Sequence, residues 1–160
     1  TLRNNVPDLV AGPLLTRLAR LEQGVFCGPF YMLRRDRIGS HRFPLGISHC
    51  EDMIFFLTLA QASSLRYGAV AEEVYEYRIT PGSAMSNLAG IETGYLAFLS
   101  CAHSMEQIDD ATRRYQARRI ARILFRSWLR RGHPLRAITG SAKVWFAAMS
   151  RGLALGGTDP

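Results

Sequence analysis

Glu51 and Asp52 stand side by side after a glycine-containing approach, Pro44-Leu45-Gly46-Ile47, and ahead of an apolar run that opens at Met53. Ser48-His49-Cys50-Glu51 fits the S-x-x-E capping box, in which the glutamate reaches back to the serine amide. That pattern predicts a helix start, with Met53, Phe56, Leu57 and Ala60 following at i, i+3, i+4, i+7 spacing. Capping gives Glu51 a structural task and leaves Asp52 without one. On a first helical turn the positive end of the dipole favours the ionised carboxylate. A carboxylate ionised near neutral pH can accept the proton of a hydroxyl nucleophile. The alternative is a pair of acids that only complement the dipole. Cys50 lies between His49 and Glu51, but adjacent helical residues diverge by about 100°, so no metal site is expected from them. Cys27, Cys50 and Cys101 are odd in number and show no C-x-x-C spacing. They point to a reducing compartment with neither a disulfide frame nor structural zinc.

The elements that must position the acidic pair belong to a chain of 160 residues, enough for one domain with a core. Apolar residues at 48% and charged residues at 21% exclude wholesale disorder. Asp8–Gln23 reads as a helix interrupted at Gly12-Pro13, with Leu14, Leu15, Leu18 and Leu21 as its stripe. Gly24–Leu33 reads as a buried strand bent at Gly28-Pro29, and Arg34–Pro44 as a basic connection. Ala69–Ile79 alternates as a strand, closed by a type II turn at Thr80-Pro81-Gly82-Ser83. Leu88, Ile91, Tyr95, Phe98 and Leu99 form a helical stripe. Asp109 caps a long helix to Arg131, which Gly132 and Pro134 stop. A last helical segment, Leu135–Leu155, is expected to break at Thr139-Gly140-Ser141. The expected fold is therefore an α/β body over residues 1–106 and an all-α basic tail over 107–160.

The stretch from Arg42 to Phe56, with Phe43-Pro44, Gly46, Glu51-Asp52 and Phe55-Phe56, resembles the acceptor-side motif of the family-two glycosyltransferases with the GT-A fold. Tyr75-Glu76-Tyr77-Arg78 and Gly82-Ser83 follow at a fitting distance, and Leu33-Arg34-Arg35-Asp36 is similar to the end of the strand before that motif. The resemblance covers roughly residues 24–87 and implies a partial GT-A-like acceptor-side subdomain. It implies Asp52 as the general base of an inverting transfer, with His49 at the acceptor, Glu51 supporting the acceptor pocket or only capping the helix, and Arg78 and Ser83 near the acceptor or the donor diphosphate. It also implies a nucleotide-sugar donor of the UDP type, Mg²⁺ or Mn²⁺ in the complete enzyme, and a saccharide or lipid-linked acceptor. Neither a nucleotide-binding parallel sheet nor an Asp-x-Asp metal motif is present, so the expectation is a carboxyl-terminal half, inactive alone and without cofactor. The first residue, Thr1, suggests a trimmed or truncated product. Gln116-Ala117-Arg118-Arg119-Ile120 lacks the Trp of the processive Q-x-x-R-W motif, which disfavours a processive polymerase.

The net charge of +7 is uneven. Residues 1–110 carry nine Arg against twelve acids, whereas residues 111–160 carry ten Arg and Lys143 against Asp159 alone. Across Thr112–Arg131, Ala117, Ile120, Ala121, Leu124 and Trp128 gather on one helical side, with Arg118, Arg119, Arg122, Arg126 and Arg130 opposite. This suits peripheral contact with an anionic membrane, or a helix packed on the body with a solvated Arg face. A sequence pI near 9.9 passes the first test for nucleic-acid binding, but no groove-reading or RNA-binding motif accompanies it. A non-enzymatic helical interaction module is the rival class. Three uncharged runs of 13 residues, Met53–Leu65, Ile79–Ile91 and Thr93–Met105, fall short of the roughly 20 that a spanning helix needs. No basic-then-apolar leader opens the chain, so the expected location is cytoplasmic, and peripheral on the inner face of the membrane if the basic tail binds lipid rather than packing on the body.

Overall fold

A computed structural model describes residues 12–22, 25, 31–63, 65–68 and 83–154. Its elements in chain order are β1 (Gly12–Pro13), α1 (Leu15–Ala19), α2 (Arg35–Ile38), α3 (Glu51–Ser63), β2 (Arg66–Tyr67), α4 (Leu88–His103), α5 (Asp110–Arg130) and α6 (Pro134–Ala154), with a 3₁₀ turn at Ala84–Ser86. The architecture is helical, which corrects the expected α/β body. The strand pairing among the described residues is one antiparallel step, Gly12 opposite Tyr67 and Pro13 opposite Arg66. Two residues cannot carry a sheet, and the apolar residues find their burial between helices instead. Val25 and the described end of the Gly24–Leu33 segment are not in a strand. The expected strand Ala69–Ile79 and its turn at Thr80–Gly82 lie outside the described residues.

Each long helix follows from local chemistry. On α3, Ile54, Phe55, Phe56, Leu57, Leu59 and Ala60 are buried, a wider apolar surface than a single stripe, so α3 sits inside the assembly rather than on it. Asn87 caps α4, its side chain accepting from the Gly90 amide at 3.0 Å. Asp109 caps α5 as expected, accepting from the Thr112 amide at 2.7 Å, and this bond holds its carboxyl below the usual carboxylate range. Gly132, at φ +75°, lets the chain leave α5, and Pro134 opens α6 where its missing N–H costs nothing.

The break expected at Thr139-Gly140-Ser141 does not occur. Thr139 Oγ1 donates to Leu135 O at 3.0 Å and Ser141 Oγ to Ala137 O at 2.8 Å, so both hydroxyls are satisfied within the helix. Gly140 is buried where α6 crosses Glu92 and Trp128. One core runs from Leu14 to Val144 and includes Leu57, Leu59, Phe98, Leu99, Ile120 and Leu124. The apolar side of α5 is part of that core, while Arg118, Arg122, Arg126 and Arg130 face outward. Among the described residues, no helix is long and apolar enough to cross a membrane.

Candidate functional site

The segment ahead of α3 is held by its neighbours rather than by a capping box. The helix begins at Glu51, and the Ser48 hydroxyl is bonded to His49 Nδ1 at 2.9 Å instead of to the helix. His49 is buried, and its Nε2 lies 2.9 Å from the carbonyl oxygen of Ala84. A carbonyl only accepts, so Nε2 carries the proton, and in the neutral ring Nδ1 accepts from the Ser48 hydroxyl. Two glycines one turn apart on α4 make room for this arrangement. A Cβ at Gly94 would lie 2.3 Å from the His49 carbonyl oxygen, and one at Gly90 would lie 2.4 Å from the imidazole Cε1. Cys50 follows at φ +60°, a left-handed conformation unusual for a side chain with a Cβ. Such backbone persists only where the surroundings over-determine it, and here His49 supplies them.

Asp52 therefore projects from a fixed helix start. Its Oδ1 accepts from the Met53 amide at 2.7 Å. Partial burial nevertheless raises its pKa, with Glu51 adding to the rise and the Met53 amide working against it. Desolvation outweighs the ionised form that the helix dipole alone favours. A carboxylate with a raised pKa is a stronger proton acceptor than a solvated aspartate. Cys50 is pushed up to about 12 by burial and by Asp52 and Glu51, so its thiol stays protonated. Tyr95, on the helix that seats His49, is also pushed up to about 12, by burial first and then by Cys50. Arg119 acts on that phenol in the opposite direction, and Asp52 adds to the rise. Arg119 is partly buried, with no hydrogen-bond partner for its Nε among the described residues, unlike the exposed arginines that share its helix.

Through Phe55, α3 borders a cavity of about 410 Å³ whose lining includes Tyr31, His41, Arg42 and Phe43 but not Asp52. Phe43 stacks on Phe55 with centroids 4.3 Å apart, and Tyr31 meets Phe56 edge-on at 4.4 Å. Phe55 lies three residues after Asp52, hence close to its side of the helix. The structure thus brings His49, Glu51 and Asp52 together. Ser83 immediately precedes the Ala84 that accepts the His49 hydrogen bond, which places it beside the same anchor. Arg78 lies outside the described residues. Among the described residues no group of three or more His, Cys, Asp or Glu could hold a metal ion.

Gly90, Gly94, Tyr95 and Arg119 also neighbour the site, although no local motif marks them as its neighbours. Glu92 is buried on α4 and ties three helices together. Its Oε2 accepts from Trp128 Nε1 of α5 at 2.9 Å, and its Oε1 accepts from Lys143 Nζ of α6 at 2.8 Å. A signal was present, because Glu92 is the lone Asp, Glu, Lys or Arg between Arg78 and Glu106. Comparison with family models, curated proteins and solved structures finds no match to the chain.

Proposed function

We propose that this chain supplies the acceptor side of an inverting, non-processive sugar transfer, with Asp52 as the general base. The observation that carries the reading is the rigid seat of the acidic pair: buried His49, left-handed Cys50 and the two α4 glycines fix a carboxylate whose proton affinity is raised. A first-turn acid that served only the dipole needs no such support. In the reaction, the acceptor oxygen attacks the anomeric carbon, its proton passes to Asp52, and the bond to the nucleoside diphosphate breaks. Inversion follows from this single displacement. Burial keeps the pKa of Asp52 raised and the Glu51 charge adds to it, His49 positions the pair, and Ser83 and Arg78 are assigned to the acceptor or diphosphate surroundings. The aromatic cavity beyond Phe55 suits the apolar face of a saccharide ring.

A UDP-type donor and Mg²⁺ or Mn²⁺ belong to the complete enzyme in this reading. No described cluster fits the metal, so no step is routed through it. The reaction is assigned to the cytoplasmic side, with a saccharide or lipid-linked acceptor. The helical fold favours a second reading, a non-enzymatic binding module that uses the exposed arginines of α5. Incubating the full-length gene product with UDP-sugars, saccharide acceptors and either metal separates the two. Release of UDP with an inverted anomeric centre by NMR is expected. Retained configuration, or no release from any donor, contradicts the transferase reading.

A further inference from the structure

The apolar side of α5 is buried, so Ile120, Leu124 and Trp128 cannot enter a bilayer. A different surface is open. On α6 the small residues Ala137, Gly140 and Val144 turn inward, and the large ones turn outward. Leu135 is 77% exposed, Ile138 60%, Phe146 72% and Met149 61%, with Trp145 also exposed. Their spacing places them along one side of a helix about 30 Å long. A continuous apolar side of this size marks a binding surface rather than scattered exposure. We infer that the outward side of α6 docks on an anionic lipid surface, lying in the interface plane without crossing it.

Charge selects this occupant. Residues 111–160 carry eleven cations against one acid, Asp159. A second copy seated on α6 would bring two such strongly basic regions together, and their repulsion opposes self-association. Anionic headgroups reverse the sign and attract exposed Arg118, Arg122, Arg126 and Arg136 on the same pair of helices. A nucleic acid would meet the arginines but give Leu135, Ile138 and Phe146 no apolar partner. A bilayer interface accepts both, and aromatic side chains such as Trp145 and Phe146 suit that boundary.

The test is sedimentation with vesicles of phosphatidylcholine containing one quarter phosphatidylserine, against pure phosphatidylcholine. The chain has two tryptophans, and Trp128 is buried, so a change of emission on adding vesicles reports Trp145. Expected are binding to the anionic vesicles, a blue shift of emission, and at least tenfold weaker binding to the neutral ones. A variant with Leu135→Ser, Ile138→Ser and Phe146→Ser should shift its thermal midpoint little, because these side chains are mostly in water, and lose tenfold or more in binding. Arg118→Gln with Arg122→Gln and Arg126→Gln should weaken binding and flatten its salt dependence. The inference is overturned if wild type stays in the supernatant, if Trp145 emission does not move, or if the serine variant sediments like wild type. It is equally overturned if wild type is a dimer that the serine substitutions convert to monomer.

Discussion

A methyl group placed at Gly94 tests how firmly the approach to α3 is seated. In an open helix Gly→Ala gains about 1 kcal/mol. Here the new Cβ would sit 2.3 Å from the His49 carbonyl oxygen and 2.7 Å from its carbonyl carbon, and both are backbone atoms. No side-chain rotation relieves that overlap, so either the His49–Cys50 segment or α4 must move. Overpacking of this kind costs about 3 kcal/mol, the upper part of its usual range. The net loss is about 2 kcal/mol, equivalent to a drop of about 4–8 °C in Tm for a chain of this size. Thermal and urea unfolding of wild type, Gly94→Ala and Gly140→Ala measures it. At Gly140 the nearest atom is the Glu92 carboxylate oxygen at 3.1 Å, the far end of a side chain, so the change should stay within about 1 kcal/mol of zero. A rise in Tm for Gly94→Ala would refute the close seating of His49.

Four further substitutions, at three positions, probe the same account. Asp52→Asn should stabilise the fold at pH 7, because a carboxyl whose folded pKa is raised contributes stability below its ordinary value of 3.8 and loses it as pH rises through the folded value. Since Asp52 is only half-buried, the gain should be a few tenths of a kcal/mol, about 1–2 °C in Tm at pH 7, and should shrink when the same comparison is made near pH 4. Gln116 is fully buried, with neither amide atom hydrogen-bonded among the described residues, so Gln116→Leu should add about 1–2 kcal/mol in urea unfolding. Glu92→Ala should cost about 2–3 kcal/mol in the same assay because it leaves the Trp128 indole N–H buried without an acceptor. Glu92→Gln keeps an acceptor and loses only the contact to a largely exposed Lys143, so its cost should stay below about 1 kcal/mol.

What the sequence made legible was local. The Asp109 cap, the stop at Gly132 and Pro134, and the buried side of α5 through Ile120, Leu124 and Trp128 all follow from signals a few residues apart. The α4 stripe was readable for the same reason, with Leu88, Ile91, Phe98 and Leu99 buried. The α/β body was misread because short apolar segments look alike whether sheets or helices bury them. The Ser48 box matched the capping pattern, yet His49 competes for the serine hydroxyl and Ala84 and α4 take hold of the histidine. No motif encodes a contact across 35 residues. The acidic pair itself was found, but not the burial that raises Asp52, because burial belongs to tertiary packing. Two glycines at i and i+4 within a helical pattern were a readable sign of close approach on α4, though not of what approaches.

The general-base assignment is tested most directly by steady-state sugar transfer with Asp52→Asn beside Glu51→Gln in the full-length gene product. Asn can still accept the Met53 amide, so the helix start is preserved, but it cannot take a proton from the acceptor near neutral pH. Turnover should fall by about 10²–10⁴-fold with the acceptor KM little changed, as for a group that acts in the transition state. Glu51→Gln removes a charge that helps raise the pKa of Asp52 and should keep most of the activity. An Asp52→Asn enzyme that turns over at the wild-type rate would contradict the assignment.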